Sequence, residues 1–143
     1  MLKELLIAFA IVAICGALHA TVLVVFAQYL LRNFPPLETL QKLTRQALLL
    51  VLVFGVVIVL SLVEAGIWAM LYYVRGLFPD FETSLYFSLG TFSTIGYGDV
   101  VLPQRWRLLG GIEGISGVLL CGLSGAFVFA VLNALFQSRI RRP

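Results

Sequence analysis

The densest run of chemistry-bearing residues is Thr91-Phe92-Ser93-Thr94-Ile95-Gly96-Tyr97-Gly98-Asp99. Gly96 and Gly98 alternate with larger residues, which opens backbone angles closed to residues with a Cβ. The carbonyls of Thr94, Ile95, Gly96 and Tyr97 are then free to turn to one side, with the Ile95 and Tyr97 side chains packed outward. With the Thr94 hydroxyl they form a ladder of oxygen ligands that can replace the water around a monovalent cation. Other chemistry is scarce. His19 is the single histidine, and Cys15 and Cys121 sit deep in apolar runs, where they read as small hydrophobes. There is no Cys/His cluster, no Walker-type loop, no Gly-x-Ser-x-Gly and no His-Glu-x-x-His. The chain reads as a non-enzyme without a cofactor.

The elements that position this run must be built in lipid. Of 143 residues 61% are hydrophobic and 12% charged, and the mean hydropathy is +1.03. A soluble domain carries about 25% charged residues, and seventeen Asp, Glu, Lys and Arg side chains cannot coat one of this size. The net charge of +3 comes from scattered or terminal basic residues, with no basic stripe interleaved with aromatics, so no nucleic-acid partner is expected.

Three apolar segments, residues 5–31, 47–74 and 108–136, each exceed the roughly 20 residues that cross about 30 Å of hydrocarbon. Residues 81–92 are too few to span. They follow Pro79-Asp80, a helix start, and carry Glu82 in the first turn, where a carboxylate suits the helix dipole. This predicts a re-entrant half-helix followed by a Gly-rich return at membrane depth. Irregular backbone is tolerated there only when buried in protein or lining a watery cavity. A cleaved signal peptide is the rival reading of the first segment, but the apolar run continues eleven residues past Ala20.

In the 32–46 linker, Pro35-Pro36 stops the first helix, and Leu37, Leu40 and Leu43 recur among Glu38, Gln41, Lys42 and Arg45. An interfacial amphipathic helix and a wet first turn of the second span both fit. Arg32, Lys42, Arg45, Arg139, Arg141 and Arg142 fall on one side of the membrane. Lys3, Arg75, Arg105 and Arg107 fall on the other, diluted by Glu4, Asp80, Glu82 and Asp99. The positive-inside rule then places the N-terminus outside and the C-terminus in the cytoplasm, in a cell membrane.

The stretch Thr94-Ile95-Gly96-Tyr97-Gly98-Asp99, after a half-helix and between two spans, resembles the selectivity-filter signature of potassium channels. The resemblance covers residues 47–136, and the whole chain is similar to small prokaryotic channels that add one helix in front of the pore module. It implies an all-α membrane protein of three transmembrane helices plus a re-entrant pore helix and filter loop, assembled as a homotetramer among membrane lipids. On that reading 1–31 is the extra helix, 32–46 the linker and 47–143 the pore module. The module divides into outer helix 47–74, pore helix 80–92, filter 94–99 and inner helix 104–136. Potassium ions would be held at Thr94, Ile95, Gly96 and Tyr97, with Gly98 completing the filter, and the function implied is passive potassium conduction. A regulatory subunit that joins other pore-forming chains is the alternative.

One departure and one match concern the support of the filter. Gly90 stands where some family members carry a glutamate that braces the filter aspartate, while Tyr86 occupies a position where an aromatic partner for it is common. A Tyr86–Asp99 hydrogen bond is therefore expected, against an Asp99 that simply faces water. In the third span Gly117 matches the inner-helix hinge position, with Gly122 a near rival for any bend. If Gly117 aligns, Cys121, Gly125, Phe129 and Asn133 face the conduction path, and Phe129 is either an apolar gate or a packing residue. Trp106 between Arg105 and Arg107 reads as an interfacial anchor.

His19, Glu64 and Glu113 interrupt the apolar runs and should face protein. Glu113 falls near the back of the filter, to bond filter or half-helix backbone or to stay protonated. By helical rise Glu64 lies about 15 Å and His19 about 21 Å below the outer ends of their spans, an offset near one turn that permits contact. No helix repeats arginine in the manner of a voltage sensor.

Overall fold

The computed structural model describes residues 2–33 and 43–140, with side chains described up to Phe136. Four helices follow in order: α1 (Leu2–Asn33), α2 (Leu43–Val74), α3 (Phe81–Phe92) and α4 (Arg107–Ile140), the last preceded by one 3₁₀ turn at Gln104–Trp106. Among the described residues there is no strand. Three helices are long and apolar enough to cross a membrane, ending at Asn33, Val74 and Phe136. The protein is an all-helical, multi-pass membrane protein.

The helix bounds differ modestly from the sequence expectation. α2 begins at Leu43 rather than 47, which makes Leu43 and Arg45 part of its first turns. The expected amphipathic segment otherwise lies outside the described residues, as do Arg141 and Arg142. α1 extends two residues beyond the predicted 31.

The end of α2 and the start of α3 are set by local chemistry. Leu77 N–H donates to the Tyr72 carbonyl at 3.0 Å and Gly76 N–H to that of Tyr73 at 2.9 Å. This is a Schellman closure, and its left-handed residue is Gly76 with φ +63°. Four residues later the Asp80 carboxylate caps α3 by accepting from Thr83 N–H at 2.7 Å. α3 is thereby launched after a connection of only six residues, 75–80.

Because lipid removes the hydrophobic drive between helices, association rests on close packing and buried polar contacts. Both occur. Trp68 and Tyr72 are fully buried, and Tyr72 meets Phe87 edge to face at 5.3 Å. α4 presents Gly110, Gly114 and Gly117 to α3, and a Cβ built at Gly117 would overlap the backbone of Phe92. Beside the start of α4 Arg105 donates two hydrogen bonds to Glu4 Oε1, at 2.7 and 3.1 Å. The N-terminus of α1 thus lies at the same end as the 93–99 return.

Candidate functional site

The return emerges from a tightly closed helix end. Ser93 caps α3, its N–H and hydroxyl both directed at the Leu89 carbonyl at 3.1 and 2.6 Å. Thr94 N–H reaches the Thr91 carbonyl and Gly96 N–H the Gly90 carbonyl, each at 3.0 Å. The backbone then changes hand at every second residue: φ is +62° at Thr94, +54° at Gly96 and +81° at Gly98. Thr94 is the one non-glycine residue with positive φ among the described residues, and a β-branched side chain there is strained.

Around the outer part of the loop, Tyr86 Oη donates to Asp99 Oδ2 at 2.7 Å, while Asp99 Oδ1 accepts from Val100 N–H at 3.0 Å. Both carboxylate oxygens are used. The Tyr86 hydrogen bond holds the Asp99 carboxyl below the ordinary carboxylate range, and the same bond holds the Tyr86 phenol above its ordinary value. Tyr86 also stacks on Tyr97, with ring centroids 6.2 Å apart and planes within 11°. The structure therefore joins Tyr86 to Asp99, as the sequence had suggested, and adds Tyr97 to the pair.

Residues 46–134 match the family described as ion channel. The chain belongs to that family. Comparison with curated proteins and with solved structures finds no match. The matched region takes in nearly all of α2, α3, the return and most of α4 of the channel, and leaves α1 outside it.

The other anticipated residues of the channel fall as follows. Glu113 is fully buried and bonds neither filter nor half-helix backbone; its partners are the side chains of Tyr72 on α2, at 2.6 Å, and Ser88 on α3, at 2.5 Å. His19 meets Glu64, Nδ1 to Oε1 at 2.8 Å, and its Nε2 lies 3.1 Å from Ser124 Oγ. The helical-rise offset had permitted the first contact; the second was not anticipated. Gly117 lies within unbroken α4, pressed against Phe92. Cys121, Gly125, Phe129 and Asn133 are all exposed on the single chain, Phe129 at 68%. Trp106 is half-buried with the Arg105 guanidinium 5.7 Å from its ring centre.

Tyr72, Ser88 and Ser124 were missed by sequence reasoning. A faint signal existed for two of them. Tyr72 lies eight residues after Glu64, and Ser88 four after Ser84, spacings that share one helix face. Nothing marked Ser124 apart from the other small residues of α4.

Proposed function

We propose that the chain is one of four identical protomers of a passive, potassium-selective pore. The observation that carries this reading is the alternation of backbone hand at Thr94, Gly96 and Gly98. In a uniformly handed chain successive carbonyls rotate around the axis. Reversing the hand at every second residue cancels that rotation and allows consecutive carbonyls to share a side. Such a row supplies field-oriented oxygens at the spacing of a dehydrated monovalent cation. One chain has only one such row, so enclosing an ion requires copies around a closed axis.

Exposure supports the same conclusion. Ile95 is 59% and Tyr97 67% exposed on the isolated chain, although both are large and apolar in body. Neighbouring protomers would cover them and lock the loop. α3 directs its C-terminal, partially negative end toward the return, which favours a cation on the axis. The N-terminus is then external, the C-terminus cytoplasmic, and conduction needs neither a cofactor nor covalent chemistry.

The test is purified protein in vesicles, with potassium and sodium flux measured separately. Potassium flux well above sodium flux is expected, abolished by Gly96→Ala because a Cβ at φ +54° is strained. An assembled particle that passes neither ion would end the pore reading in favour of a regulatory subunit.

A further inference from the structure

Counting hydrogens around Glu113 assigns it a charge state. The Ser88 hydroxyl stands 2.7 Å from the Ala65 carbonyl and 2.5 Å from Glu113 Oε1. A carbonyl oxygen only accepts, and a hydroxyl has one hydrogen. If Ser88 donates to Ala65, the contact with Glu113 has a hydrogen only when the carboxyl supplies it. If Glu113 were ionised and drew the Ser88 hydrogen, two oxygens with lone pairs alone would face each other at the Ala65 contact. The other carboxyl oxygen, Oε2, accepts from Tyr72 Oη at 2.6 Å.

We propose that Glu113 is a neutral carboxylic acid and acts as the positioning residue of the filter-bearing helix. It would close a one-way chain of three hydrogen bonds: Tyr72 to Glu113, Glu113 to Ser88, Ser88 to Ala65. Each link carries one hydrogen, and no donor is left over. The chain joins α4 to α2 through Tyr72 and to α3 through Ser88, and ties α3 back to α2 at Ala65. It fixes the depth and rotation of α3, and hence the place where the return at Ser93 begins. The groups facing Glu113 agree with neutrality. α2 contributes the Tyr72 phenol and α3 the Ser88 hydroxyl. No lysine, arginine or histidine pairs with Glu113 among the described residues. Without a cation, an ionised carboxylate at zero exposure is strongly disfavoured.

This inference deepens the pore reading, yet its main test does not depend on conduction. In infrared spectra of the purified, reconstituted protein at neutral pH, Glu113→Gln should remove a protonated carboxylic-acid carbonyl band. Loss of carboxylate bands with the acid region unchanged would overturn the proposal. Tyr72→Phe provides a second measurement should the glutamine variant fail to assemble. Losing one donor to Oε2 shifts the acid band of a neutral Glu113 to higher frequency, whereas an unaltered acid region counts against it. Glutamine can copy the chain, its amide N–H donating to Ser88 and its carbonyl accepting from Tyr72. Ion flux through Glu113→Gln should therefore stay near wild type and Glu113→Leu should fall about tenfold or more. A glutamine variant as impaired as the leucine variant would contradict the neutral assignment.

Discussion

Asp99 shows how one residue ties the 93–99 return to α3. Its two oxygens accept from Tyr86 Oη and from Val100 N–H, so the carboxylate is the form the structure stabilises. A carboxyl held below its ordinary range contributes stability at and above the usual carboxylate titration range. That contribution is lost as pH falls through the depressed value, so acid loosens the tie between the return and α3 while neutral pH does not. Tyr86→Phe should return the Asp99 titration toward the ordinary range and shorten filter open times, read by single-channel recording across acidic pH. Unchanged open times and inactivation would remove Tyr86 as a brace. Asp99 and the run before it were legible in the sequence because their chemistry is written in consecutive residues. The Glu113 partners were not legible, since Tyr72 and Ser88 lie 41 and 25 positions away and only packing brings them to it.

Helices here are placed by a few close approaches. The small residues of α4 are not equivalent: Gly117 has the Phe92 backbone where a side chain would go, whereas Gly122 has nothing within 4 Å. Gly117→Ala should destabilise the assembly by about 3 kcal/mol, near the upper end of overpacking penalties, while Gly122→Ala should be close to neutral. Thermal denaturation in detergent separates them, and equal midpoints would show that α4 moves away freely. The glycine that a hinge would use therefore has a packing duty of its own.

The added helix α1 depends on a different contact. His19, at zero exposure, bonds Glu64 of α2 on one side and approaches Ser124 of α4 on the other. His19→Ala leaves the Glu64 carboxyl buried with neither oxygen partnered, since Oε2 already has no hydrogen-bond partner. A loss of about 3–5 kcal/mol is expected, most of it recovered by adding Glu64→Leu, because an apolar replacement removes the buried orphan. The same denaturation experiment on single and double variants checks this. Additive losses would mean that the two side chains do not interact. Sequence spacing along two helices gave their depths but not their rotation, and rotation decides whether two side chains at one depth touch.

At the scale of the whole molecule, the single chain leaves large apolar side chains uncovered. Beyond the exposed Ile95 and Tyr97, the α4 stripe of Cys121, Gly125, Phe129 and Asn133 faces away from the chain's own core. In the proposed ring of four, that stripe would line the path below the return, and four Phe129 rings would form an apolar constriction. Phe129→Ala should then raise leak through the closed channel at least about tenfold by removing a dewetting barrier. Leak unchanged in vesicle flux assays would assign Phe129 to packing instead.

What the sequence determined by itself was the solvent and the local grammar: three spans from hydropathy, a short helix from its cap and length, and an oxygen-bearing return from two alternating glycines. These are properties of neighbouring residues, and neighbours in sequence are neighbours in space. Tertiary structure alone decided the partners of Glu113, the second contact of His19 and the seat of Gly117. Each depends on how two helices are rotated against one another. In lipid that rotation is set by the sum of small-residue contacts and buried hydrogen bonds rather than by an apolar face turning away from water.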